Sequence, residues 1–507
     1  MIHPVVFTSE KKNVYLYSPF RNQITLLHPL VRYLYNVDRE EEGKLASLAE
    51  ETCKKGFFTL EGYGDFPVEE FLHHHKKYLF LKGKGFFRPR KRINLSDRLS
   101  PAVIKDNITG IKQLIFEVTE DCNLQCTYCT FSKFYVNKPR ASHEPDFPEI
   151  KKTLQYFLSR RKPGLTSPLI ISFYGGEPLK NMKLIRQVVS FCDTIPKDQC
   201  GFRFSMTSNG LLLKKEIEYL AAHDFDVSIS LDGDSEADTY RRLKNNQPSY
   251  PIVVRNLEYV RKNYPAFYEK NISFMSVLHN RNNFGTLEKF FREKYGKSTL
   301  MSDISTVGIN EPYREEFYAT FLENKKDDRN EKEPMNSLML KHPRVKEVAD
   351  VVEKYSGMVF KNHYQMLNRG KDNSLKKKYI PTATCTPFSM RAFVTTEGKI
   401  LPCEHISREF ELGSVTPGQI SIDRTRISEM FNNYYQKART FCEKCYLANN
   451  CKECMFNTGI ETEKPSCEFF MNRQRFCEYL AHHFSIIEND YPFYLKIVNH
   501  AFRKEET

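Results

Sequence analysis

The sequence contains no run of 18 or more consecutive apolar residues, so nothing in it reads as a membrane-spanning helix. Its first residues, MIHPVVFTSEKKNVYLY, lack the basic segment and apolar stretch of a secretory signal. A cytoplasmic protein without a membrane partner is the expectation. Long blocks of one charge sign are also missing. The formal net charge is +13, yet the basic residues are broken up by acids, as in NKKDDRNEKE (324–333). That pattern suits a solvated surface better than a nucleic-acid interface, so no nucleic-acid partner is expected. A fourth cysteine or histidine is absent near Cys122, Cys126 and Cys129, and no cysteine occurs between Cys200 and Cys385.

What is present starts with length. A chain of 507 residues exceeds the usual domain size two- to threefold, and 40% hydrophobic with 27% charged residues describes an ordinary globular composition. Fourteen cysteines without a signal segment argue for metal rather than disulfides, because CxxC-type pairs recur among them, at 126/129, 442/445 and 451/454. Cys53, Cys192 and Cys200 lie outside any ligand spacing and read as plain thiols. The tract His73-His74-His75, followed by two lysines, reads as an exposed helix face.

Five apolar runs of strand length, LIFEVTE, LIISFYGG, FRFSMTSNG, VSISLDG and ISFMSVL, alternate with helical patterns between residues 114 and 278. Such alternation implies βαβ units and an α/β fold with a parallel sheet, here a full or partial barrel whose chemistry gathers at the C-terminal strand ends. Before it, short strands around Phe7 and Tyr15 and a helix from about Pro29 make a small module. The expected organisation is an N-terminal module (1–100), the barrel (110–330), a helical bridge (331–384), a cysteine-rich domain (385–480) and a C-terminal helix (481–507).

The segment EDCNLQCTYCTF (120–131) spaces three cysteines as CxxxCxxC. A structural zinc site closes with four protein ligands, whereas three thiolates suit a cubane iron-sulfur cluster with one iron left open. This spacing after a first barrel strand resembles the signature of radical S-adenosylmethionine enzymes, with Tyr128 at the aromatic position before the third cysteine. The resemblance implies a partial (β/α)6 TIM-like barrel and a 4Fe-4S cluster on Cys122, Cys126 and Cys129. Its open iron would chelate S-adenosyl-L-methionine, cleaved to a hydrogen-abstracting 5'-deoxyadenosyl radical. FYGGEPLK (173–180) resembles the family's GGEP segment, which implies that Gly175, Gly176 and Glu177 face the methionine end of the cofactor. TSNGLLL (207–213) resembles its TNG segment, implying hydrogen bonds from Ser208 and Asn209. SISLDGDSEADTYRR (228–242) resembles its SLDG segment, implying cofactor contacts from Ser230, Asp232 and Arg242. A His-Asp pair usual in that segment is replaced here by Asp238 and Thr239, so the choice between Arg241 and Arg242 stays open. Singly, each of these short segments is also an ordinary turn or cap.

The cysteine-rich end has Cys385 and Cys403 around Gly398, then CEKCYLANNCKEC and Cys467. It resembles the SPASM domain, and the resemblance implies two auxiliary 4Fe-4S clusters. Cys442, Cys445, Cys451 and Cys467 would hold one. Cys385, Cys403 and Cys454 would hold the other, with Cys477 as a fourth ligand or with an iron open to a substrate thiolate or water. A pair of structural zinc sites is the alternative for the cysteines alone.

Among SPASM enzymes the expectation is a peptide maturase of the type found in anaerobic Bacteroidales, acting on a ribosomally made precursor peptide with a leader. It would form a thioether or carbon-carbon crosslink and draw electrons from a reductant such as flavodoxin or ferredoxin. Residues 1–100 resemble a winged-helix leader-recognition module, where a leader adds a strand to a small sheet. A sulfatase-maturating enzyme is the alternative. It would carry an aspartate after the position of Cys403, where this chain has Glu404, itself a candidate base. A non-catalytic, metal-stabilised binding protein is the other alternative.

Overall fold

The computed structural model describes residues 1–41, 43–90, 99–136, 143–306, 308–323, 348–349, 351–352, 382, 384–448, 451, 453–467, 469–492 and 494–495. The expected helical bridge falls almost wholly outside them, as does the end of the expected C-terminal helix. The chain divides into two units, one comprising residues 1–98, 333–384 and 432–507, the other 99–332 and 385–431.

In the first unit, β1 (Val5–Thr8), β2 (Val14–Ser18) and β3 (Gln23–Leu26) form an antiparallel sheet, with Val5 opposite Tyr17 and Tyr15 opposite Leu26. Helices follow at Pro29–Glu40, Lys44–Lys55 and Val68–Gly83, the last preceded by the hairpin of β4 (Phe57–Leu60) and β5 (Gly64–Pro67). Strand alternation gives the sheet two apolar faces. Leu16, with Val6 and Val14, packs on Leu30, Leu34, Phe71 and Tyr78 of the helices. Val5, Phe7 and Tyr17 pack instead on Phe476 and Leu480 of helix Arg473–Asn489. The N-terminal module and this C-terminal helix, expected as separate pieces, therefore share one core. A three-stranded sheet that is apolar on both sides needs a cover on both.

In the second unit, β6 (Gln113–Thr119), β7 (Leu169–Gly175), β8 (Phe202–Ser208), β9 (Asp226–Ser230), β10 (Ile272–Leu278) and β11 (Thr299–Asp303) lie side by side in chain order, all parallel. Helices between them bury one face of the sheet, where Phe116, Phe173, Phe204, Ile229 and Phe274 are packed. This is the expected six-stranded partial barrel. The sixth strand, TLMSD, was not among the apolar runs because its residues are mostly polar and half exposed. The expected cysteine-rich domain (385–480) is divided between the units: residues 385–431 belong to this one and 432–480 to the first. Strands β12 (Arg391–Val394), β13 (Lys399–Leu401), β14 (Gly413–Val415) and β15 (Ile420–Ser421) continue the sheet, because β12 pairs in parallel with the free edge of β6. An unclosed barrel leaves that edge available for pairing. Among the described residues, no helix is long and apolar enough to cross a membrane.

Candidate active site and cysteine sets

The loop carrying Cys122, Cys126 and Cys129 begins directly after β6, at a C-terminal strand end. Burial pushes the Cys126 thiol up to about 12, opposed by Arg241, while Cys129, Cys122 and Asp232 push it further. The three sulfurs therefore share one location. Asn209, from the end of β8, points its side-chain amide at Cys122 Sγ (3.8 Å) and at Asn123 Oδ1 (2.7 Å).

The GGEP segment is packed into this loop by backbone. A Cβ on Gly175, whose φ is +138°, would lie 2.1 Å from the Thr119 carbonyl oxygen; one on Gly176 would lie 2.0 Å from that of Asp121. Only glycine permits so close an approach, so the loop's own backbone already requires both residues. Glu177 is buried and ties strand ends together. Its carboxylate accepts from Ser208 Oγ (2.7 Å), Asn209 N (2.7 Å) and Leu179 N (3.2 Å). Burial raises its pKa, and these hydrogen bonds with the nearby Arg241 oppose the rise. A carboxylate has about four acceptor directions, so about one is left for an outside donor such as an ammonium group.

Asp232, fully buried, is the hub of a second network. Its Oδ1 accepts from Val277 N (2.9 Å), its Oδ2 accepts from the Tyr128 hydroxyl, and its backbone N donates to Asp238 (3.0 Å). Arg241 Nη1 donates to the same Tyr128 hydroxyl at 2.8 Å, and its Nε lies 3.9 Å from Asp238. His279, also fully buried, lies 4.0 Å from Asp232. Burial and the adjacent Asp232 push Asp238 up, with Arg241 opposing. The Tyr128 hydroxyl is thus engaged within the protein.

The remaining expected positions separate. Ser230 ends β9, half-buried. Arg242 is not brought to the group; its Nη1 donates to the Asn246 carbonyl (2.9 Å) near the surface. Arg241 takes the inner place because the backbone there is extended, and successive extended residues point to opposite sides. Glu404 is clamped by Arg391 at 3.0 Å, with His405 at 3.4 Å. The ion pair takes up part of its acceptor capacity and fixes its orientation. Sequence reading missed Arg241, Asp238 and His279 as a set. Only the Asp238 substitution in the SLDG segment hinted at it.

In the first unit, burial raises Cys442, and Cys445, Cys451 and Cys467 add to the rise; Cys467 is pushed to about 11 by burial, with Cys445 and Cys451 contributing. These four thiols lie together. Cys454 faces elsewhere, accepting from Thr384 Oγ1 (3.8 Å), the residue before Cys385. The Cys477 thiol contacts the Val6 carbonyl (3.9 Å) on β1. Among the described residues, the one set of three His, Cys, Asp or Glu side chains with ligand atoms within 4.8 Å of one another is His28, Glu70 and His74. A structural zinc ion closes with four protein ligands, whereas three thiolates suit a cluster with one open iron. Cys122, Cys126 and Cys129 suit a 4Fe-4S group with an open iron, and Glu177 with Asn209 suits the polar end of S-adenosylmethionine.

The His28 and His74 rings stack at 3.6 Å with planes 4° apart. A metal bound by both would have to lie in both ring planes, which parallel rings forbid. The tract is therefore not a simple exposed face, and its chemistry is that of a neutral pair. Burial lowers His74 to about 4 and lowers His28. Because both folded pKa values lie below the unfolded value, their stabilisation is present above about pH 6.5 and lost as pH falls towards 4. We expect the melting temperature to drop over that window and the drop to shrink in His74→Phe, measured by circular dichroism.

Residues 116–293 match the Radical SAM superfamily. An uncharacterized protein, MJ0907, of Methanocaldococcus jannaschii is 32% identical over 187 residues, 36% of this chain and 59% of its own. The radical SAM cyclopropyl synthase TigE of Paramaledivibacter caminithermalis is 23% identical over 293 residues, 55% of this chain and 53% of its own. The chain thus spans about half the length of the curated relatives it matches. A solved structure of native anSMEcpe with bound AdoMet and Kp18Cys peptide is similar over 77% of this chain and 99% of its own, at 17% identity and a TM-score of 0.49. The three-cysteine loop, the glycine-packed GGEP turn and strands β7 to β10 all lie within the matched residues 116–293, and this segment is a Radical SAM superfamily domain.

Proposed function

We propose that the protein modifies a ribosomally made precursor peptide by radical chemistry, forming a thioether or carbon-carbon crosslink. The observation that carries this reading is the N-terminal fold: a three-stranded antiparallel sheet, two helices, a β-hairpin and a third helix. That arrangement suits a module to which a leader peptide adds a strand. Similarity to TigE, a radical SAM cyclopropyl synthase, supports the carbon-carbon bond formation in this reading.

When bound, S-adenosylmethionine on the open iron would supply a hydrogen-abstracting radical. The chain's own residues would then do the following. Cys122, Cys126 and Cys129 hold the cleaving cluster. Asn209 donates towards the Cys122 sulfur and so helps fix its position. Glu177 would offer its remaining acceptor direction to the cofactor's ammonium, and Arg241 would supply positive charge beside Tyr128. Asp232 and Tyr128 hold Arg241 in place. Cys442, Cys445, Cys451 and Cys467 hold an auxiliary cluster, and Cys385, Cys403 and Cys454 a second, which accept an electron or position the substrate.

Glu404 is assigned to positioning through Arg391. Its replacement by Gln is expected to cost well under the about hundredfold loss that follows removal of a general base, and to leave the acid limb of the pH-rate profile in place. Incubation without oxygen with S-adenosylmethionine, a reductant and a leader-bearing precursor peptide should remove two hydrogens from the peptide by mass spectrometry, and less so when the leader is deleted. Turnover of a sulfatase-derived cysteine peptide instead, with the precursor untouched, would favour formylglycine formation.

A further inference from the structure

The root of the three-cysteine loop is held from two sides. On one side is the GGEP turn, where Gly176 N donates to Thr119 O (2.8 Å) and Glu177 N to Asp121 O (2.9 Å). On the other is a buried acidic pair. Glu117, on β6, and Glu120, just past its end, are 4% and 6% exposed. Carboxylates withdrawn from water to this degree need a cation and hydrogen bonds. Both come from the chain on either side of β13. Arg408 Nη2 lies 3.0 Å from Glu117 Oε2 and 2.8 Å from Glu120 Oε1, and its Nη1 lies 3.6 Å from Glu397. In the turn between β12 and β13, Thr396 donates its N–H to Glu117 (3.0 Å) and its hydroxyl to Glu120 (3.2 Å).

The place of this clamp decides what it can do. Glu120 is the second residue before Cys122, so the guanidinium grips the chain where the first thiolate branches from it. Glu177 is hydrogen-bonded to the same stretch of backbone through the Asp121 carbonyl. A shift of residues 119–121 therefore disturbs Cys122 and Glu177 together. Arg408 belongs to a distant part of the chain, the connection between β13 and β14, and one guanidinium bound to two carboxylates has little freedom to swing. An ion pair that served stability alone would have no need of this location.

We propose that Arg408 is a positioning residue of the cleaving site: through Glu117 and Glu120 it holds the backbone of residues 119–121, and so keeps Cys122 and Glu177 in the relation that S-adenosylmethionine requires. Its part in cofactor binding rests on the radical reading above. Arg408 acts through the two glutamates and is assigned no contact with the cofactor. Partners that orient the ligands of a metal site without touching the metal typically cost about 10- to 100-fold in affinity or activity when removed. Lysine is no substitute here, because an ammonium is a single point charge where the guanidinium is a fork that spans both carboxylates.

The test uses the full chain, purified without oxygen with its clusters, and three variants: Arg408→Met, Arg408→Lys, and Arg408→Met combined with Glu117→Gln. The combination keeps the net charge of the clamp and lacks its guanidinium. Arg408→Met should lower the melting temperature and weaken S-adenosylmethionine binding about tenfold by equilibrium dialysis. The change that the cofactor causes in the electron paramagnetic resonance spectrum of the reduced protein should shrink with it. The combined variant should regain the melting temperature and keep the weak binding. Arg408→Lys should keep the fold and bind the cofactor more weakly than the unaltered protein, so the test survives a failure of Arg408→Met to fold. Binding equal to that of the unaltered protein in any of the three overturns the proposal. So does a combined variant in which melting temperature and binding recover together, which would reduce the clamp to charge balance. An unaltered protein that neither binds the cofactor nor changes its spectrum would instead refute the radical reading, a result separate from the comparison of variants.

Discussion

Gly176→Ala should abolish S-adenosylmethionine cleavage and strip iron from the three-cysteine loop while the rest of the fold survives. The added methyl group would lie 2.0 Å from the Asp121 carbonyl oxygen and 2.6 Å from that of Glu120. Those are backbone atoms, with no rotamer to yield, so the loop itself has to move. Cys122 is the next residue after Asp121, and a displaced backbone there takes the first thiolate with it. The cost arises from close approach, since Gly176 does not have the left-handed backbone that Gly175 has. Iron per chain, compared with the unaltered protein, and far-ultraviolet circular dichroism check it. A variant with full iron and full cleavage would show that the packing of the GGEP turn is dispensable.

The second large effect is expected at Asp232. Asp232→Ala leaves the Val277 amide and the Tyr128 hydroxyl without their acceptor, and leaves Arg241 facing Asp238 at 3.9 Å as its remaining carboxylate in this network. Removing one partner from a buried charged network costs about 3–5 kcal/mol, which lowers the melting temperature on the order of 10 °C in a unit of this size. Asp232→Asn keeps the shape and one acceptor and should lose less. Equal, small losses in both variants would mean that Arg241 finds its compensation elsewhere. The mirror experiment contrasts the two arginines: Arg241→Met should behave like the Asp232 variants, and Arg242→Met should be nearly silent in stability.

How far the sequence carries the structure differs by kind of feature. Strand ends were legible because the apolar runs of β6 to β10 stop at glycine, asparagine or cysteine, and the notable short segments fall there. The glycine pair was legible as a requirement for close approach, though the neighbour it admits is the loop backbone from Thr119 to Asp121. What depends on partners distant in the chain was not legible. His28 and His74 stack although 46 positions separate them. Tyr17 buries against Phe476, and β12 finds the edge of β6. Alternation along a strand says that a face is apolar, never what covers it. Arg241 against Arg242 turns on which side of an extended segment each residue takes, a one-residue register that composition does not fix.

The central claim is that Cys122, Cys126 and Cys129 carry a cluster that cleaves S-adenosylmethionine, beside two further clusters. The most direct measurement is iron content and reductive formation of 5'-deoxyadenosine in protein purified without oxygen, compared with a variant bearing alanine at those three cysteines. The account predicts about twelve irons and cleavage in the unaltered protein, and a loss of roughly a third of the iron with all of the cleavage in the variant. Colourless protein that holds zinc and makes no deoxyadenosine would contradict it.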